Sequence, residues 1–113
     1  MRLRADFWVS AYVRRCAVEN AEALLRRRGA AEAGAIFVKV DRLDGRAALF
    51  GPAPQSETAE RGVERLFARL HRDDWITPLE AEERLGKELA FDPDLWIVEV
   101  EDRAGRHFLD VTD

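Results

Sequence analysis

Cys16, His107 and Asp110 are the residue types of a thiol nucleophile, its general base and an orienting carboxylate. That chemistry needs three adjacent side chains, and nothing in the local spacing joins position 16 to positions 107 and 110. A cysteine at the end of an apolar stretch more commonly serves as a small, half-buried hydrophobe. His71, Asp73, Asp74 and His107 form a second set. Two imidazoles and a carboxylate can hold zinc or iron, yet the histidines are not one helical turn apart, and "HRDDW" reads as a wet loop. No metal and no cofactor is expected.

Two groups of carboxylates come next. Glu80, Glu82 and Glu83 open a helix, where the dipole and capping explain them without catalysis. Glu99, Glu101 and Asp102 run along a strand and its turn; with Val98 and Val100 facing the core, Glu99 and Glu101 face outward, too solvated for acid–base work.

The cluster with most functional character is basic and aromatic. Arg14, Arg15, Arg26, Arg27 and Arg28 stand near Trp8 and Tyr12, and such a rim binds anions or single-stranded nucleic acid by charge and stacking. A pI near 5.3 and the lack of any glycine-rich phosphate loop or RNA-binding signature speak against nucleic acid. Trp8, Tyr12, Arg14, Arg26, Arg27 and Arg28 are therefore the expected ligand- or partner-binding residues, and no catalytic residue is assigned.

The elements that must position these residues follow from periodicity and punctuation. "FWVSAYVRR", rich in aromatic and β-branched residues, reads as a strand. "VENAEALLRRRG" reads as a helix, acid first and base last, with Gly29 as its stop. "GAIFVKVDR" and "RAALF" read as a hairpin around a two-residue Asp44-Gly45 turn. That turn sets Val40 opposite Leu49 and gathers Ile36, Val38, Val40 and Leu49 on one buried face. "GPAPQSETAERG", residues 51–62, is a linker. "VERLFARLH" fits helix or strand by periodicity. "TPLEAEERLGKELAF" is a helix with Thr77 as N-cap, Pro78 at the first position and Glu80 completing a capping box. "LWIVEVED" is a strand, and Asp102 with Gly105 brackets a turn into a returning strand, "RHFLDV".

The chain also echoes itself. Offset by sixty residues, 9 of 32 positions match between 19–50 and 79–110, among them Val38/Val98, Val40/Val100 and Gly45/Gly105. This reads as two βαββ units, about 6–50 and 64–111, related by a pseudo-twofold, and on that basis "VERLFARLH" is a strand. The 113 residues then form one α+β domain, a mostly antiparallel sheet with both helices on one face. The other face is left open, with Trp8 and Tyr12, or Phe37 and Phe50, exposed upon it.

Composition bounds the rest. The chain is 47% hydrophobic and 35% charged, as in globular domains, and its one cysteine excludes an internal disulfide. No apolar run approaches the ~20 residues of a membrane helix, and the basic start lacks a signal-peptide pattern. A cytoplasmic address is expected. Residues 1–50 hold ten Lys and Arg against six Asp and Glu, whereas residues 51–113 hold eight against sixteen. Such a split marks a basic contact surface or two poles that attract within or between chains.

The phrases "FWVSAYVRRC", "GAIFVKVDRLDG", "GPAPQS" and "FDPDLWIVEVEDRAGRHFLD" together resemble the small alphaproteobacterial family known as domain of unknown function 1491. The resemblance spans essentially the whole chain. It implies a bacterial cytoplasmic protein and supplies no activity, ligand or catalytic residue.

The sequence thus favours a non-enzymatic binding or protein-interaction module, its partner another protein or a second copy in a homodimer. The alternatives are a small enzyme with a site between the repeats, drawn from Cys16, His71, His107 and Asp110, and a nucleic-acid or anion binder using the N-terminal arginines.

Overall fold

A computed structural model describes residues 3–54 and 65–112. Their element order is α1 (Ala5–Val18), β1 (Glu22–Arg27), β2 (Ile36–Asp41), β3 (Ala47–Pro52), β4 (Phe67–Arg69), α2 (Pro78–Phe91) and β5 (Trp96–Glu101). The strands make one five-stranded sheet in the order β1-β5-β2-β3-β4. Only β2 and β5 run parallel; the other three pairings are antiparallel. The fold is α+β with a mostly antiparallel sheet.

The first two expected elements exchange identity. Phe7–Arg15 is helical, because Ala5, Val9, Tyr12 and Cys16 recur at helical spacing and all four are buried. The helix starts with Ala5 and Asp6 donating to the carbonyls of Glu32 and Ala31. It ends in a Schellman motif: Asn20 takes φ 62° and donates to Ala17, and Ala21 donates to Cys16. That stop releases residues 22–27 as a strand, although Glu, Ala, Leu and Arg are good helix formers. Pairing with β5 outweighs propensity here.

The β2–β3 hairpin is real but one residue longer at its turn. Arg42 donates to the Arg46 carbonyl across a three-residue loop, with Leu43 at φ 64° and Gly45 at φ 87°. Asp41 Oδ1 accepts from the Leu43 amide and Asp44 Oδ1 from that of Arg46, which supports the tighter curl. The register becomes Val38↔Phe50 and Lys39↔Leu49, a slip of one residue from expectation. A one-residue slip changes the face of every side chain on the shifted strand. Leu49 accordingly packs with Phe37 and Ile97, and Ala48 and Phe50 pack with Val38 and Val40.

The helices lie on opposite faces of the sheet. The side chains of Ile36, Val38, Val40, Phe50, Val98 and Val100 meet α1, whereas Phe37, Leu49 and Ile97 meet Leu85 of α2. Each face carries a helix, and Tyr12, Phe37 and Phe50 are buried. The pseudo-twofold repeat is not found either. Its first half is helix–strand–strand–strand, its second strand–helix–strand, and "RHFLDV" is irregular apart from a bridge between Val111 and Phe67. The sixty-residue echo survives as something smaller. Ile36↔Trp96, Val38↔Val98 and Val40↔Val100 are direct neighbours on parallel strands, and Gly45 and Gly105 both take positive φ beyond them.

The second half otherwise follows its sequence. Residues 67–69 are a strand, Thr77 Oγ1 accepts from the Glu80 amide at 3.1 Å ahead of α2, and the Gly105 amide donates to Asp102 in the turn after β5. Of the expected linker, Gly51 and Pro52 end β3, and residues 55–62 lie outside the described residues.

Candidate functional site

Trp8 and Tyr12 sit one turn apart on α1 and stack, with ring centroids 4.9 Å apart and planes 12° apart. Trp8 also tilts onto Phe67 at 5.3 Å. Tyr12 donates its hydroxyl to the His107 carbonyl at 2.6 Å, which ties α1 to the segment after β5. Burial, with Cys16 beside it, pushes the Tyr12 hydroxyl far above its ordinary range, so it stays protonated as a donor.

Residues 106–109 are built tightly against that tie. Buried Asp102 accepts from the amide, Nε and Nη2 of Arg106 at 2.9, 3.1 and 2.7 Å. Its carboxyl is held below the usual range, chiefly by the Arg106 guanidinium. Phe108 takes φ 56°, a left-handed conformation that costs a bulky residue about 1–3 kcal/mol. Two guanidiniums lie over its ring, Arg106 at 5.1 Å and Arg15 at 5.9 Å.

The space between α1 and this segment is a groove of about 180 Å³, lined by Trp8, Tyr12, Arg15, Arg65, Phe108 and Asp110. Arg65 is buried beneath it, donating to the Leu3 carbonyl at 3.0 Å and facing Trp8. Arg15 is exposed at the rim. The site thus offers an aromatic wall and an exposed cation.

The catalytic candidates are held in structural roles. Cys16 is buried on α1 and burial raises its thiol pKa, the opposite of nucleophile activation. His107 Nδ1 accepts the Leu109 amide at 2.9 Å, leaving its proton on Nε2 and no lone pair for a base. Its ring packs on Phe50 at 5.0 Å, and no described hydrogen bond joins it to Cys16 or Asp110. His71 Nε2 accepts the Leu49 amide at 3.0 Å, and its Nδ1 donates to the Asp73 carbonyl at 2.7 Å. Burial lowers both imidazole pKa values and favours these neutral forms. Among the described residues no group of three or more His, Cys, Asp or Glu is placed to hold a metal.

The expected arginine rim is not one surface. Arg14 is exposed on α1. Arg26 reaches across the α2 face to Glu82 and Glu99, Arg27 donates to the Pro93 carbonyl, and Arg28 stacks over Trp96 at 5.3 Å. Trp8, Tyr12 and Arg15 do share the groove; Arg65 and Phe108 escaped sequence reasoning because only the fold brings them there, and Asp110, expected as an orienting carboxylate, lines the groove instead.

A second polar cluster lies beneath α2. Buried Lys39 donates to Glu82 at 2.6 Å and lies 3.6 Å from Glu99, and Arg26 bridges the same carboxylates at 2.7 and 2.9 Å. Glu99 therefore does not face solvent as expected: α2 covers it, leaving its side chain 13% exposed. Lys39↔Glu99 is itself one of the sixty-residue pairs. The charge split between the chain's halves is used here, two cations from the first half meeting two carboxylates from the second.

These features define a small α+β domain with a helix on each face of its sheet and a compact cation-flanked groove beside α1. Within that class the chain belongs to the family described as protein of unknown function (DUF1491), whose profile matches residues 3–110. A crystal structure of a family member from Caulobacter crescentus superposes with a TM-score of 0.81 at 38% identity, covering 100% of both chains. The solution structure of a protein from A. tumefaciens gives a TM-score of 0.83 at 38% identity, covering 100% of this chain and 97% of that one. No curated protein matches. The family is bacterial, and no helix among the described residues is long and apolar enough to cross a membrane.

Proposed function

We propose that this protein is a non-enzymatic interaction module that docks an acidic protein segment by seating one of its apolar or aromatic side chains in the α1 groove. The carrying observation is the meeting of the Trp8–Tyr12 stack with the exposed Arg15 guanidinium around about 180 Å³. That volume is smaller than the roughly 300–1,000 Å³ of small-molecule and cofactor sites, and suits a single anchoring side chain. Aromatic and arginine residues are also the types that dominate binding hot spots. The larger depression along α2, about 460 Å³, is lined by Glu80, Glu83, Arg84, Lys87 and Glu88, the mixed charges of a solvated helix face. A free, buried Cys16 fits a reducing, cytoplasmic setting.

Selection of a random peptide library on the intact protein tests this reading. Enriched peptides should combine Asp or Glu with an aromatic or leucine, perturb the amide resonances of residues 8–15 and 107–110, and lose binding to Arg15→Glu. No enrichment, or enrichment indifferent to Arg15→Glu, would remove the proposal.

A further inference from the structure

β1 ends the sheet, and among the described residues nothing pairs with its outer edge. Bare edges invite another strand, and proteins that avoid this use short strands, charges, prolines, bulges or a covering element. β1 is instead six residues reading Glu-Ala-Leu-Leu-Arg-Arg, acid at one end, base at the other and two half-exposed leucines between. The Glu22 side chain is exposed and has no ion-pair or hydrogen-bond partner among the described residues. We propose that the chain forms a symmetric dimer by antiparallel pairing of β1 with β1 of a second copy, centred on Leu24.

The register follows from the faces of the strand. Ala23 packs with the α1 core, and Arg26 reaches into the α2 cluster, so Ala23 and Leu25 point to the α1 side and Glu22, Leu24 and Arg26 to the α2 side. A twofold axis normal to the sheet keeps each face on its own side, and directly opposed residues must share a face. Centring on Leu24 sets it against the partner's Leu24 and Ala23 against the partner's Leu25, and brings Glu22 to the partner's basic end, where Arg26 is bonded to Glu82 and Glu99 and Arg27, among the described residues, bonds only carbonyls. Every regular opposed pair is then apolar, and the acidic end of each strand meets the basic end of the other. Centring on Leu25 would set Leu24 against arginine, and centring between the leucines would mix the faces. The irregularity between Leu25 and Arg27 falls at the end of the paired stretch, leaving Glu22 to Leu25 regular. The result extends the five-stranded sheet through both copies and lies apart from the α1 groove.

Cysteine scanning of the edge tests this, since the native Cys16 is buried and does not compete. Opposed residues in an antiparallel pair have Cα atoms about 4.5–5.5 Å apart, within disulfide reach. Oxidised Leu24→Cys should run as a covalent dimer, whereas Leu25→Cys, two positions out of register with itself, should remain monomeric. By native mass spectrometry and sedimentation the unmodified chain should be a dimer, and Leu24→Lys should weaken its Kd at least ~10-fold while keeping the monomer's amide spectrum. A chain that is monomeric at about 100 μM overturns the proposal. So does a dimer that Leu24→Cys fails to cross-link, or one that Leu24→Lys leaves unchanged.

Discussion

Lys39, in the middle of β2, donates to Glu82 of α2 at 2.6 Å while its side chain is 6% exposed. A buried ammonium is tolerated only when paired and hydrogen-bonded, and here Glu82 and Glu99 together neutralise it, with Arg26 closing the cluster. The pair fixes how α2 lies on the sheet, because the helix must present Glu82 over Lys39 as it seats Leu85 on Phe37, Leu49 and Ile97.

The cluster makes stability depend on acid pH. The Glu82 carboxyl is lowered to about 2, chiefly by the Arg26 hydrogen bonds and then by Lys39. A carboxylate with a depressed folded-state pKa contributes stability that is present above its unfolded value and lost as pH falls through the folded one. The expected window runs from about pH 4.5 down to about 2. Glu82→Gln should cost about 1–2 kcal/mol near neutrality, since solvent at the partly exposed Glu82 screens its pairing. Denaturation series across pH 2–7 should show the wild-type and Glu82→Gln curves converging at the acid end; parallel curves would refute the assignment.

Gly45 gives a backbone prediction that involves no lost contact. It takes φ 87°, and a Cβ built there meets no atom within 4 Å. Gly45→Val therefore tests conformation alone and should cost ~1–2 kcal/mol, read as a lowered urea midpoint with an unchanged slope. Gly45→Asn should recover part of that loss, since asparagine tolerates the left-handed region.

Where local signals were strong, the sequence could be read. Thr77-Pro78 with Glu80 announces α2, and the Val-rich runs at 36–41 and 96–101 announce the two central strands. Where tertiary pairing decides, it could not. "EALLRR" is helical by propensity and a strand because β5 offers an edge; "FWVSAYVRR" is strand-like in composition, yet its buried positions are spaced as a helix. A single left-handed residue, Leu43, lengthened the hairpin loop and moved Leu49 to the other face. The groove was half legible. Trp8, Tyr12 and Arg15 share one helix, but Arg65, Phe108 and Asp110 reach it only through the Tyr12–His107 tie and the pairing of residues 110–112 with Phe67.

Cys16 should be inert in the native protein. It is fully buried, and burial raises its thiol pKa. Reaction with a disulfide reagent at pH 8 should be slow and should track global unfolding, accelerating in step with added urea. Rapid labelling without denaturant would mean that α1 opens locally and would restore the thiol as a nucleophile candidate.

Tyr12→Phe separates the groove's architecture from its chemistry. The change keeps the ring stacked on Trp8 and deletes only the hydroxyl that donates to His107. Losing that bond leaves a carbonyl without its donor, at a cost of about 1–2 kcal/mol. The loss should be felt mostly in residues 107–112, because Phe108 is held in its left-handed conformation partly by the His107 tie. Amide hydrogen exchange should rise there while β2 and β5 stay protected. Peptide binding should weaken as the Phe108 wall of the groove loosens, and Arg15→Glu should abolish it with a smaller rise in exchange at 107–112 than Tyr12→Phe, because it removes one ring contact to Phe108 but keeps the His107 tie. If Tyr12→Phe left both exchange and binding untouched, the tie would be incidental and the groove would be shaped by α1 alone.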